Sequence, residues 1–353
     1  MHHARMNELR SAAIAAMVAL SLSCVDRSGR GGGLPDLAAA QPSAPPSPTD
    51  VHGVDDPVVI LTIDGVRWQE VFEGTDPEFT SKPLQSATAI WPNLYRLGTK
   101  RGAFVGAPGH GRIAASGPQY VSLPGYTEIL SGRPSLLCQD NDCPRTVLPS
   151  ILDEAHARGA KVAAFASWDR LDYAITSRPG SFFVSAGRGS PPTVESLPGS
   201  PDERPDRLTA PAALAYYQAE RPDVFFLGLG DPDEHAHHGD YDAYVDACRY
   251  ADEVIGELMA VLDRDERGRR THVVVTPDHG RASSFFNHGG MPEAARTWLV
   301  ATGPRIMARG DVASVRERHL ADIAPTMRLV LGLPADHDAL AGQPIEELFA
   351  SAN

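Results

Sequence analysis

Five stretches of the chain are continuously apolar and bounded by polar or turn residues: "PVVILTID" (57–64), "KVAAFAS" (161–167), "DVFFLGLG" (223–230), "THVVVTPD" (271–278) and "TWLVATG" (297–303). Unbroken runs of this length, rich in β-branched residues, predict strands covered on both faces. Between them the pattern is helical. "TVLPSILDEAHARG" (146–159) ends in the glycine that favours a helix C-terminus. In "YDAYVDACRYADEVIGELMAVLD" (241–263), Tyr244, Cys248, Ala251, Ile255, Leu258 and Leu262 recur at spacings of three and four, the stripe of an amphipathic helix. "DIAPTMRLVLGLP" (322–334) predicts another, with Asp322 as its N-cap and Gly-Leu-Pro as its stop. Strands alternating with helices predict an α/β fold, a mostly parallel central sheet with helices on both faces. Residues 176–207, rich in Pro, Gly and Ser, predict a long loop or a small cap insertion.

The first 55 residues carry no such pattern. Arg5 and Arg10 precede "SAAIAAMVALSLSC" (11–24), an apolar stretch too short to span a bilayer and ending in small residues and a cysteine. "LSLSC" is similar to a bacterial lipobox, with Ser21 where leucine is usual. The expectation is an export signal over 1–24, with Cys24 as a site for lipid anchoring to a membrane or as part of an ordinary cleaved signal. "RSGRGGGLPDLAAAQPSAPPSPTD" (27–50) has the composition of a flexible tether, so 25–55 reads as a linker and 56–350 as the folded domain. The protein is expected in the periplasm or cell envelope.

Charge narrows the partners. Arg and Lys number 32 against 45 Asp and Glu, a net charge of −13, which argues against binding a nucleic-acid duplex. Cys138 and Cys143, in "CQDNDC", are spaced to close a small disulfide in an oxidising compartment; two separate thiols are the alternative. Cys248 lies on the apolar stripe of its helix, which predicts a buried free thiol.

The informative polar residues gather at strand ends. Strand 57–64 ends at Asp64, and strand 271–278 ends in adjacent Asp278 and His279. Strand 223–230 runs into "DPDEHAHHGDY" (231–241), which contains two overlapping Asp-x-x-x-His pairs, Asp231/His235 and Asp233/His237. "NHGG" adds His288. Singly, each is an ordinary turn or surface residue. Together they would converge at the carboxyl edge of one parallel sheet, where ligands bind, and carboxylate with imidazole is a donor set for divalent metals.

"VSLPGYTEILSGRPS" (121–135) places Ser122 ahead of a helical stretch, where the dipole and N–H groups favour an anion. With "ILTIDGVRWQEVFEG" (60–74), "DPDEHAHHGDYDAY" (231–244), "VVVTPDHGR" and "NHGG" (273–290), in that order, it resembles the alkaline phosphatase superfamily. The likeness extends over residues 57–349. It implies a hydrolase of small phosphate esters that works with two divalent metal ions, zinc or alternatively manganese. By position, Asp64, Ser122, Asp278 and His279 would hold one ion, and Asp233, His237 and His288 the other. Relatives place a small residue just before the ligand histidine and a glycine soon after; Ala236 and Gly239 fit, so the resemblance selects Asp233/His237 over Asp231/His235. Ser122 would be the catalytic nucleophile, forming a phosphoseryl intermediate, with backbone amides after it helping to hold the phosphoryl oxygens.

The resemblance leaves the substrate open. Sulfatases carry an arginine four residues after the modified residue, where this chain has Tyr126. Phosphodiesterases use an asparagine near the nucleophile; three residues on, the chain has Gly125. Arg133 and Arg281 are the cations available for a phosphomonoester dianion, or are engaged in structural ion pairs. A metal-containing surface lipoprotein that binds without turnover is the alternative outside enzymes.

Overall fold

The computed structural model describes Val54, residues 56–187 and residues 203–349. The expected signal, Cys24 and nearly all of the linker lie outside the described residues, as do residues 188–202 of the expected insertion. Residues Thr49–Asn353 form one compact unit.

The unit is built on an eight-stranded sheet. Its strands are β1 (Val58–Ile63), β2 (Gly102–Val105), β4 (Val162–Ala166), β5 (Phe183–Ala186), β6 (Val224–Leu229), β7 (His272–Thr276), β9 (Leu299–Thr302) and β10 (Gly310–Asp311), in the order β10-β2-β9-β7-β1-β6-β4-β5. Three very short strands, β3 (Ile113–Ala114), β8 (Arg296–Thr297) and β11 (Arg318–His319), form a second sheet. Strands β7, β1, β6, β4 and β5 are all parallel, whereas β9 pairs antiparallel with both β7 and β2. A parallel return is usually carried by an α-helical crossover, and the chain between β7 and β9 forms none, only a 3₁₀ turn at Pro292–Ala295 and the short strand β8. The expected insertion is in part an edge strand, since β5 extends the sheet beside β4.

Alternation on β1 explains its uniformly apolar sequence. Val58 and Ile60 enter one core, with Leu123, Ile129, Ile151 and Met327. Val59, Leu61 and Ile63 enter the other, with Ala213, Tyr244, Cys248 and Ile255. Helices Ser122–Ser131, Ile151–Ala157 and Ile323–Leu331 therefore cover one face, and Asp206–Glu220 and Tyr241–Leu262 the other. Each fully buried large aliphatic side chain on these stripes contributes about 1.5–3 kcal/mol of transfer free energy. Cys248 is buried and free.

Local signals set the helix ends. Asp240 accepts from the Ala243 N–H and starts helix Tyr241–Leu262. Ser150 and Asp153 form a reciprocal capping box that starts helix Ile151–Ala157, later than the periodicity alone indicates. Gly132 and Gly332 end their helices with φ of 77° and 68°, the left-handed conformation that glycine adopts without strain. Asp322 departs from expectation. It precedes helix Ile323–Leu331 but makes no side-chain cap; its carboxylate accepts from the backbone N–H of Gln343 and of His319 and pairs with Arg316.

Register positions the site. Thr62 of β1 lies level with Gly228 of β6 and Thr276 of β7. Two residues further along each strand come Asp64, Gly230 and Asp278. Neighbouring strands are about 4.8 Å apart, so three distant segments of sequence end side by side. The Asp64 N–H donates to Leu229 O at 2.9 Å, which carries the pairing to the rim.

Candidate active site

The "DPDEHAHHGDY" run is a short helix, Asp231–His237, rather than a loop. Pro232 sits in its first turn, where the absent N–H costs nothing. Residues four apart share a helix face, and Asp233 Oδ2 lies 3.0 Å from His237 Nε2. His237 Nε2 is also 3.0 Å from His288 Nε2. Asp231 turns away: its carboxylate accepts from the Asp206 N–H at 3.1 Å. The structure thus brings Asp233 and His237 together with His288, and gives Asp231 a structural partner outside the cluster.

The other half assembles at the ends of β1 and β7. Ser122 is the first residue of its ten-residue helix, and Val121 occupies the N-cap. Its hydroxyl therefore does not cap the helix. Ser122 Oγ lies 3.4 Å from Asp64 Oδ1 and 3.2 Å from His279 Nε2. His279 Nε2 is in turn 3.4 Å from Asp64 Oδ1 and 3.4 Å from Asp278 Oδ2. The Tyr126 hydroxyl, one turn after Ser122, donates to Asp64 Oδ2 at 3.1 Å. Asp278 Oδ1 accepts from the Gly65 N–H at 3.2 Å. The rings of His279 and His288 stack with centroids 3.9 Å apart, joining the two halves.

The electrostatics are those of an acidic pocket short of positive charge. Burial raises the Asp64 carboxyl well above the usual range, and the neighbouring charges of Asp278 and Asp233 raise it further. Asp278 is raised by burial and then by Asp233. Burial also pushes Asp233 up, but the Arg281 guanidinium and the His237 hydrogen bond outweigh it and hold that carboxyl well below its ordinary value. Burial lowers both His279 and His288, keeping the imidazoles neutral.

The donor set fits divalent cations. His279 Nδ1 faces Gly280 O and His288 Nδ1 faces Tyr120 O, each at 2.8 Å. These acceptors place the ring hydrogens on Nδ1 and turn the Nε2 lone pairs inward, the tautomer a metal-binding histidine needs. Asp278 Oδ2 is buried with no hydrogen-bond partner among the described residues. Donor atoms of Asp64, Asp278 and His279 lie within 4.8 Å of one another, and so do those of Asp233, His279 and His288. His279 is common to the two groups, and His237 adjoins the second through its contacts with Asp233 and His288.

One sequence expectation changes here, and two open points are filled in. Backbone amides after Ser122 do not face a ligand: the Leu123 N–H donates to Asn141 Oδ1, Pro124 has none, and the Gly125 N–H donates to Val121 O. Gly125 has no room for a side chain, because a Cβ there would stand 2.4 Å from Asp278 O. An asparagine nevertheless reaches this helix end. Asn141 is held by the Leu123 N–H, while Arg170 donates to its backbone carbonyl. It rides on the loop closed by the Cys138–Cys143 disulfide. Its proximity depends on loop closure rather than on sequence spacing, and the "CQDNDC" bracket was the only signal of it. Finally, neither arginine is free. Arg281 bonds Asp233, Phe285 O and Phe286 O, and Arg133 bonds Asp336 and Asp338.

The Metalloenzyme superfamily profile matches residues 57–335. The chain belongs to this alkaline phosphatase-like superfamily. A curated relative, the 2,3-bisphosphoglycerate-independent phosphoglycerate mutase of Halobacterium salinarum, is 34% identical over 43% of this chain and 32% of its own. The chain thus spans about a third of the length of the mutases it matches. Solved structures share the fold at low identity. Murine ectonucleotide pyrophosphatase/phosphodiesterase 5 gives a TM-score of 0.57 at 13% identity, over 84% of this chain and all of that one. The phosphonate monoester hydrolase of Silicibacter pomeroyi gives 0.56 at 16%, over 83% and 76%. The lipoteichoic acid synthase LtaP of Listeria monocytogenes gives 0.57 at 14%, over 85% and 78%. The superfamily is one of metalloenzymes, and what the chain shares with these solved structures is the fold.

Proposed function

We propose that the protein hydrolyses phosphate esters, diesters in preference to monoesters, with Ser122 as nucleophile. The observation that carries the reading is the setting of Ser122 Oγ: at a helix N-terminus, 3.2 Å from an imidazole nitrogen and 3.4 Å from a buried carboxylate. Two divalent ions, zinc or manganese, would be held by Asp64, Ser122, Asp278 and His279 and by Asp233, His237 and His288, where they supply charge neutralisation and favour the ionised hydroxyl. Ser122 Oγ attacks phosphorus in line and forms the phosphoseryl ester as the ester alcohol departs; water then cleaves that ester and restores the hydroxyl. Asp64, held by Tyr126, and His279 orient the hydroxyl. Asn141, with Oδ1 fixed by Leu123, has its Nδ2 amide left to donate to a phosphoryl oxygen.

The preference for diesters follows from the arginines. A monoester dianion calls for an extra cation, and both Arg133 and Arg281 are committed to carboxylates. A sulfatase reading is disfavoured by Tyr126, which bonds Asp64 where sulfatases have arginine. The disulfide supports an exported protein, and the acidic composition goes with small substrates rather than nucleic-acid duplexes.

The test compares bis-p-nitrophenyl phosphate, p-nitrophenyl phosphate and p-nitrophenyl sulfate with zinc or manganese. Diester turnover should dominate. Ser122→Ala should abolish it while metal content stays near wild type; full activity in that variant would remove Ser122 from the mechanism.

A further inference from the structure

An apolar groove starts at the residue after the nucleophile. Leu123 and Thr127, one turn apart on the Ser122 helix, form its floor, and its volume is about 290 Å³. Leu123 follows Ser122 directly, with its Cα about 3.8 Å away, so the groove begins one residue along the helix from the nucleophile. Its walls are the 134–138 and 144–148 segments on either side of the disulfide loop that carries Asn141. Leu137 and Val147 stand on the rim at 95% and 81% exposure, with Leu136 at 61% and Leu340 at 50%. Four large aliphatic side chains so exposed around one concavity are a contiguous feature, unlike scattered surface leucines.

Three of the polar side chains lining this groove, Thr127, Arg133 and Arg145, are engaged within the protein. The Thr127 hydroxyl donates to Leu123 O at 2.8 Å. Arg133 is bidentate to Asp336 and also bonds Asp338. Arg145 bonds the backbone and side chain of Asp172 and the carbonyl of Thr176, with its guanidinium 4.8 Å from the Tyr173 ring. Both arginines thus present hydrocarbon stems. The two lining arginines are thus engaged, which leaves a second phosphate no free guanidinium here. What fits is apolar, uncharged and attached to the phosphorus that Ser122 attacks.

We propose that this groove binds the apolar ester substituent of the substrate, so that the enzyme acts on phosphodiesters bearing an alkyl or acyl chain. This rests on the phosphodiesterase reading of the same site. Filling the groove removes methylenes from water, each worth about a fourfold gain in affinity when fully buried. Half-open walls reduce that to about twofold to fourfold per methylene.

The test uses metal-loaded full-length protein and two measurements. The first is kcat/KM for methyl, butyl and octyl p-nitrophenyl phosphate; the second is calorimetric binding of methyl-, butyl- and octylphosphonate, which needs no turnover. Both series should strengthen with chain length and level off once the groove is full. In Leu137→Asp/Val147→Asp, shown folded by circular dichroism, the octyl-to-methyl ratio should fall towards one in both. Esters turned over with no chain-length dependence would overturn the groove and leave the hydrolase standing. Chain-length-dependent phosphonate binding without turnover of any ester would keep the groove and sink the hydrolase. If the double variant loses binding to phosphatidylcholine vesicles but keeps the wild-type chain-length slope, the rim is a membrane contact and the proposal fails.

Discussion

Replacing Arg281 by methionine probes the charge balance of the centre directly. The guanidinium is buried and bonds Asp233 Oδ1, Phe285 O and Phe286 O. Methionine keeps much of the stem but removes the cation bonded to Asp233, whose neighbours Asp64 and Asp278 have no Lys or Arg partner among the described residues. Breaking a buried pair by removing one partner costs about 3–5 kcal/mol, because the other charge stays buried. At about 2.1 cal/mol/K per residue, a unit the size of Thr49–Asn353 has an unfolding entropy near 0.6 kcal/mol/K, so the loss lowers Tm by about 5–8 °C. The assay is thermal unfolding of chelator-stripped protein by circular dichroism, repeated with zinc. A cation binding the native state at a hundred times its Kd adds about 2.7 kcal/mol per site. That gain should be larger in Arg281→Met, where the ion faces an uncompensated carboxylate. A metal-free variant within about 1 °C of wild type, or an equal zinc shift in both proteins, would refute the argument that these carboxylates lack counter-charge.

Other expectations follow from the same geometry. His237→Ala should drop the bound metal from two ions to one by elemental analysis, and His235→Ala should leave it unchanged. Asn141→Ala should lower kcat/KM for a small diester by about 10²-fold with metal content intact, the scale of losing one oriented donor. His272, buried at the start of β7 with Nε2 accepting from the Arg305 N–H, is depressed by burial from 6.5 to about 4. Its contribution is therefore full above pH 6.5 and is lost as pH falls through about 4. The loss amounts to about 3 kcal/mol, and chemical denaturation of His272→Gln should show a correspondingly shallower decline between those values.

Legibility in the sequence depended on whether a property was local. The strands around β1 announced themselves because burial on both faces leaves no polar alternation, and Tyr241–Leu262 because its stripe repeats over six turns. The direction of β9 was hidden, since apolar composition does not distinguish parallel from antiparallel pairing. β2, β3, β8 and β11 are too short or too weakly patterned to separate from loops. The site residues were visible as types at strand ends, and register then set them side by side. The overlapping Asp-x-x-x-His pairs could not be separated by spacing, because each shares one helical face; what distinguishes them is which face of the short helix meets His288. Asn141 was illegible for the opposite reason. Its place beside Ser122 comes from a loop closed across Cys138 and Cys143 and clasped by Arg170, a tertiary arrangement without a period.

That closed loop has a practical consequence. The metal-binding cluster uses neither cysteine, so a protein made in a reducing cytosol would acquire its sheet, its ions and its serine and still carry a slack Asn141. Such a preparation would pass tests of folding and metal content yet work slowly, and mild oxidation would quicken it with no change in composition beyond two hydrogens. Feeble activity from a cytosolic preparation should therefore be checked by thiol counting before it is taken as a property of the enzyme.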